Sequence, residues 1–240
     1  MMISCDHASN AVPRCLNDLD IDPALKALHI AYDIGARQVA TLVAERFNAP
    51  LLLANYSRLV VDLNRHHGDP SMFPEISDRH TIPGNLNLSE QQIQQRIEGL
   101  FEPYHTRHSI MVDALTARFK KPVILSIHSF TDVFFEFKRP WHFGVLWDHS
   151  RELATRLIES FRARSKLETP NLVIGDNEPY HARDPLGYSL VVHGANRNVE
   201  IVLLEIRQDL IADSAGQEWA AGIIHDAMKP LLDWSELAAC

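Results

Sequence analysis

Two histidines stand directly behind short apolar runs, His7 after Met2–Cys5 and His128 after Pro122–Ile127. If those runs are strands of one sheet, both imidazoles project into the crevice beyond the carboxyl ends, where open α/β sheets bind ligands. Two imidazoles and one carboxylate make the donor set of a hydrolytic zinc site that keeps a position open for water. Glu205 follows Ile201-Val202-Leu203-Leu204, the most apolar run of the chain. A carboxylate at such an edge has its pKa raised by burial, which suits a general base toward the attacking water. The alternative for Glu205 is an ion pair with Arg207, two residues on and on the same strand face. Asn64 and Arg65 close the run Leu59–Leu63. The planar guanidinium fork of Arg65 suits a substrate carboxylate, and Asn64 can fix an acid or amide oxygen. Asp33 lies in an apolar-periodic stretch beside the small residues Ala36 and Ala40, and is read as a third metal ligand or as the partner that orients a ligand histidine.

The elements that must carry these side chains alternate between strand and helix. Pro23–Phe47 reads as one amphipathic helix, with Leu25, Leu28, Tyr32, Val39, Leu42, Val43 and Phe47 on a helical repeat, and Arg151–Arg164 and Glu218–Leu232 as two more. Ser89 with Gln92 forms a capping-box signature for a helix that bends near Pro103. Met2–Cys5, Pro50–Asn55, Leu59–Leu63, Pro122–Ile127, His142–Trp147, Asn171–Ile174 and Val199–Ile206 read as strands. Between them, His66–Leu86 is rich in Pro and Gly and reads as a long loop of the kind that forms lids. Gly175-Asp176-Asn177 reads as a turn shaping the crevice wall. This alternation predicts an α/β sandwich of one domain with a mostly parallel central sheet.

Composition removes several function classes. The 240 residues carry 23 Lys+Arg against 31 Asp+Glu, a net charge of −8, which argues against broad binding to nucleic acid or to a membrane surface. No apolar run approaches the roughly 20 residues that cross a bilayer. Cys5, Cys15 and Cys240 form no CxxC pair, so a reduced, cytoplasmic protein is expected, with Cys240 in a frayed end. GxGxxG, the phosphate loop, GxSxG and HExxH are all missing, while 13 histidines point toward metal or acid–base chemistry.

In order, DHASNAVP, HIAYDIGA, YSRLVVDLNR, SIHSF, IGDNEPY, DPLGY with His193, and LLEIRQDL resemble the N-formylglutamate amidohydrolase family, from about Ser4 to Ile211. That resemblance implies a single domain over residues 1–240 with a three-layer α/β/α sandwich related to zinc carboxypeptidases (phosphorylase/hydrolase-like). It implies one zinc ion and hydrolysis of N-formyl-L-glutamate to formate and L-glutamate, so that the partner is a small anionic N-acyl amino acid; the alternatives are a zinc amidase or carboxypeptidase-like hydrolase of another N-acyl or peptide substrate, and a metal-free binding protein on the same fold. The aspartoacylase and succinylglutamate desuccinylase group is more distantly similar. It implies that Asn64 and Arg65 hold the substrate carboxylate, that His128 is the second zinc histidine and that Glu205 is catalytic. The first zinc motif of that group is HxxE, whereas here Asn10 stands three places after His7. The third ligand therefore lies among Asp33, Asn10 and Asp6, with the anionic Asp33 preferred. Tyr188, His193 and Arg207 occupy family positions. A tyrosine or histidine there would stabilise an oxyanion, Arg207 would hold a second carboxylate, and Asn10 joins them as a substrate-facing position.

Overall fold

The computed structural model describes residues 1–167, 171–180 and 187–232; Cys240 lies outside them. Ten strands occur among these residues: β1 Met2–Cys5, β2 Leu51–Leu53, β3 Ile76–Ser77, β4 His80–Thr81, β5 Val123–Phe130, β6 Val133–Phe134, β7 Phe137–Lys138, β8 Phe143–Leu146, β9 Ile174–Asp176 and β10 Glu200–Arg207. The principal helices are α1 Ala36–Phe47, α2 Glu90–Arg96, α3 Glu102–Arg118, α4 Arg151–Leu167 and α5 Ser214–Met228.

Six strands form one mixed α/β sheet in the order β2-β1-β5-β10-β8-β9. Every pairing is parallel except β10 with β8. The mostly parallel sheet flanked by helices is the architecture that the alternation predicts. Its central strands are apolar on both faces, as burial under helices requires. Helices α1, α5 and α4 pack side by side against the sheet, whereas α3 packs against the turn Leu190–Gly194. The main core runs through the sheet and takes in Ile124, Leu125, Phe143, Val202 and Leu204 from the strands with Val39, Phe161 and Ile224 from the helices. No helix among the described residues is long and apolar enough to cross a membrane.

Several boundaries differ from the sequence reading, each for a tertiary reason. The Pro23–Phe47 helix is only a 3-10 turn at Pro23–Ala27 and then α1 from Ala36. Between them the backbone is committed elsewhere: Asp33 N–H donates to the His7 carbonyl, while the Ala31 carbonyl accepts from Arg58 N–H and from Ser57 Oγ. Asp33 therefore sits in a fixed turn rather than inside a helix. Leu59–Leu63 is also not a strand. It is a buried segment whose Leu59 and Val60 join Leu19, Ile21, Ile30, Ala31 and Ile82 in a second, smaller core, while Val61 and Leu63 belong to the main one. Its peptide groups are satisfied singly: Asn85 Nδ2 donates to the Leu59 carbonyl, Arg96 donates to that of Val60, and Asp62 N–H reaches the Met72 carbonyl. Such pairing meets the requirement that buried peptide groups find partners without a ladder.

Other differences are smaller. β5 continues through His128 to Phe130, β10 is shifted by one residue to Glu200–Arg207, and β9 begins only at Ile174 and takes in Gly175 and Asp176. The 66–86 segment contains the β3–β4 hairpin and two 3-10 turns. The Ser89–Gln92 capping box forms in full. The irregularity ahead of Pro103 is a π-helical turn at Ile97–Phe101. A second hairpin, β6–β7, follows β5 and leaves Phe134, Phe135 and Phe137 exposed.

Gly35 sets where α1 starts. It adopts φ +78°, and a Cβ there would lie 2.3 Å from the Ile211 carbonyl oxygen. Gly35→Ala is expected to lower unfolding stability by about 2–3 kcal/mol, since it combines a positive φ with a backbone clash. Urea denaturation checks this, and a loss below about 0.5 kcal/mol would show that the turn before α1 yields freely.

Candidate active site and metal centre

The carboxyl end of β1 delivers Asp6 and His7, and the turn before α1 delivers Asp33. His7 Nδ1 lies 3.3 Å from Asp33 Oδ2, and His128 Nδ1, on β5, lies 2.8 Å from the same oxygen. The two rings meet edge to face with centroids 5.0 Å apart. One donor atom from each of His7, Asp33 and His128 falls within a 4.8 Å span, and all three side chains are buried. The outer nitrogens are held as well. His7 Nε2 is 2.8 Å from Asp62 Oδ1. His128 Nε2 is 3.1 Å from Ser126 Oγ and 3.8 Å from Asp6 Oδ2. A carboxylate or hydroxyl behind each imidazole, with the Nδ1 atoms turned inward, is how metal-binding histidines are oriented.

Electrostatics favour a cation here. Burial opposes charge on His7, as does Arg58, but the Asp62 and Asp33 carboxylates outweigh both and hold its pKa up at about 9. Asp33 itself is buried, yet His7 and His128 keep it well below the usual carboxylate range. A proton on His7 thus sits where a divalent ion would place its charge. Two imidazole nitrogens and a carboxylate are a borderline donor set that suits zinc, so the residues fit the ion that the family resemblance implies.

Glu205 stands beside this group because β10 pairs in register with β5, setting Glu205 opposite His128. Cross-strand neighbours project from the same face of a sheet. Its Oε2 is buried and has no hydrogen-bond partner among the described residues. Burial, aided by Asp33 and opposed by His128, pushes its pKa up to about 7. A cavity of about 200 Å³ opens on His7, Asp33, His128 and Glu205, and its remaining wall includes Asn64, Arg65, Arg58 and Tyr180.

Of the residues singled out from the sequence, six meet in this cavity: His7, Asp33, His128, Glu205, Asn64 and Arg65. The others lie apart. Asn10 donates through Nδ2 to the Lys26 carbonyl and faces a separate hollow. Arg207 pairs with Asp209 rather than with Glu205. Tyr188 packs its ring on His66, Phe101 and His105, and His193 is buried against His105 and His108. Asp6 accepts hydrogen bonds from Tyr104 and Ser189 behind the donor group. Asp176 accepts from Trp147 instead of lining the cavity.

Three residues of the site have no role assigned from the sequence, although Asp62 stands in the polar cluster Asp62–Arg65 that closes the Leu59–Leu63 run. Arg58 spans two of the acids, 2.7 Å from Asp62 Oδ2 and 3.5 Å from Asp33 Oδ1. Asp62, besides orienting His7, accepts from Asn64 N–H. The available signal was the Arg58–Asp62 spacing within YSRLVVDLNR. Tyr180 reaches the wall because the Glu178 backbone presses onto β8, where a Cβ at Gly144 would lie 1.9 Å from the Glu178 carbonyl oxygen.

Residues 1–212 match the model of the N-formylglutamate amidohydrolase family, and the chain belongs to that family. The crystal structure of the gene product Atu2144 from Agrobacterium tumefaciens is 33% identical, with a TM-score of 0.88 over 98% of this chain and 91% of that one. An N-formylglutamate amidohydrolase from Ralstonia eutropha JMP134 shares the fold at a TM-score of 0.69 and 16% identity, covering 97% of this chain and 93% of its own. No protein of curated function matches the chain.

Because His7 carries a proton below about pH 9 in the metal-free protein, loading a divalent ion at pH 8 is expected to release about one proton per ion from it. Apparent affinity then rises with pH toward 9. Calorimetry in two buffers of different ionisation enthalpy measures the release, and none would remove His7 from the donor set. His128→Ala is expected to lose the ion by elemental analysis, while an unchanged metal content would exclude it as a ligand.

Proposed function

We propose that this chain is a zinc-dependent hydrolase of the amide bond in an N-acyl acidic amino acid, with N-formyl-L-glutamate cleaved to formate and L-glutamate. The observation that carries this reading is the convergence of His7, Asp33, His128 and Glu205 on one small cavity walled by Asn64 and Arg65. Family membership supports the amide-hydrolysing chemistry, and the name of the Ralstonia relative supports the formylated substrate.

His7, His128 and Asp33 hold the ion. When bound, zinc supplies a Lewis acid that polarises the acyl carbonyl and acidifies water. Asp62 and Ser126 fix the tautomers of the two imidazoles by bonding their Nε2 atoms. Glu205, whose pKa lies near neutrality, accepts a proton from the attacking water as the water oxygen bonds to the acyl carbon. The carbon–nitrogen bond then breaks, its electron pair stays with the amine, and Glu205 returns the proton to that nitrogen. Arg65 and Asn64 bind the α-carboxylate of the amino acid and set the scissile bond against Glu205. Arg58 holds Asp33 and Asp62 in place and adds positive potential to the wall, so an acidic protein still draws an anionic substrate.

Glu205→Gln is expected to lower kcat by about 10³-fold, within the range for a general base, while retaining zinc. Activity within a few-fold of the parent would remove Glu205 from the mechanism. Arg65→Ala is expected to raise KM for N-formyl-L-glutamate about tenfold or more and to leave the corresponding carboxamide almost unaffected. Equal effects on the two substrates would take the carboxylate away from Arg65.

A further inference from the structure

Behind the substrate wall lies a group of three buried histidines, His105 and His108 on α3 and His193 in the turn Leu190–Gly194. The mechanism above uses none of them. Their hydrogen bonds determine their protonation. His105 Nε2 lies 2.9 Å from the Leu63 carbonyl oxygen, which can only accept, so Nε2 carries the hydrogen. His105 Nδ1 therefore presents a lone pair, and His193 Nε2, 2.9 Å away, must donate to it. Burial keeps both rings neutral, pushing their pKa values down to about 4 for His105 and about 2 for His193. His108 stacks on His193 with centroids 3.8 Å apart and planes inclined by 24°. One ring nitrogen from each of the three lies within 4.8 Å of the others, but His105 Nδ1 and His193 Nε2 are taken up by the bond between them.

We infer that His193 and His105 form a neutral imidazole relay that positions the Asp62–Arg65 segment to receive the substrate carboxylate. The relay ends on the carbonyl of Leu63, between Asp62, which orients His7, and Asn64, which faces the cavity. The two residues just ahead of the turn that carries His193 grip the same segment at two further points. Ser189 N–H donates to Asn64 Oδ1, and Tyr188 N–H donates to the Asn64 carbonyl. Leu59–Leu63 has no ladder to hold it, so these bonds set where Asn64 and Arg65 stand. His105 and His193 are positioning residues that act through Leu63, and neither lines the cavity. The inference rests on the carboxylate-anchoring reading of Asn64 and Arg65.

The test uses the zinc-loaded full chain with N-formyl-L-glutamate and its carboxamide. His105→Leu, which removes the bond to Leu63, is expected to raise KM for the carboxylated substrate about tenfold, with kcat and zinc content within about twofold. His105→Gln, whose Nε2 can still donate to the Leu63 carbonyl, is expected to restore KM to within about threefold of the parent. Nitrogen-15 NMR is expected to show Nε2–H tautomers for both His105 and His193. If His105→Leu does not fold, His193→Leu takes its place and is expected to raise KM in the same direction. An unmoved KM in the leucine variant, a Gln variant no better than Leu, or Nδ1–H tautomers overturn the relay. So does a second equivalent of zinc that His108→Ala removes. Arg65→Ala is the reference: if it too leaves KM unmoved, the carboxylate-anchoring reading has failed, and the relay with it. A flat His105→Leu beside a responsive Arg65→Ala overturns the relay alone.

Discussion

A single carboxylate oxygen, Asp33 Oδ2, stands between two imidazoles contributed by β5 and by the end of β1. The rest of the site is arranged around the cost of that placement. Asp6, Asp33 and Asp62 are all nearly inaccessible to solvent, and buried charges persist only when paired and hydrogen-bonded. Arg58 answers two of these acids, His7 answers the same two, and the hydroxyls of Tyr104 and Ser189 answer the third. Removing one member would leave another charged and unaccompanied, so the group behaves as a unit.

That unit explains the irregular backbone next to it. Residues 28–35 and 57–65 lie beside the sheet as turns whose peptide groups bond to particular side chains and to each other. A helix through Asp33 would spend its N–H on the preceding turn, whereas here that N–H is given to His7 and holds the carboxylate in register with β1. The regular sheet fixes the spacing of His128 and Glu205, and the turns bring the acids to meet them. Rigid strands carrying His128 and Glu205, with braced loops carrying Asp33, Asn64 and Arg65, are a sound division for a site that must hold its geometry.

Much of this was legible in the residues. The order of strands and helices, the capping box at Ser89, and the convergence of His7, His128 and Glu205 follow from apolar patterning and from polar residues at strand ends. The local errors share a cause. Leu25, Leu28 and Tyr32 carry a helical repeat, but Leu25 and Tyr32 pack on the smaller core while Leu28 is exposed; that repeat reflects burial under loops rather than one helical face. Leu59–Leu63 is apolar for the same reason, which composition alone does not separate from a buried strand. Arg58, and the part that Asp62 plays with it, had no signature because a cation four residues from an acid reads as a surface pair until burial is known. Tyr180 escaped because its position depends on a close approach of backbone at Gly144, a constraint that has no local signature.

The one reversal of direction in the sheet, between β10 and β8, governs how the mouth of the cavity is built. β5 runs toward the end of the sheet that bears the cavity and β8 starts from that end, so residues 131–142 never have to cross the sheet and stay on its rim, where β6 and β7 form their hairpin. Arg139, at the foot of that hairpin, lies over the rings of Phe134, Phe130 and Tyr180, tying the rim to the wall. Length and composition can therefore drift in this connection while the strands that hold His128 and Glu205 keep their register. Such an arrangement separates the entrance from the chemistry, and leaves the entrance the freer of the two to diverge.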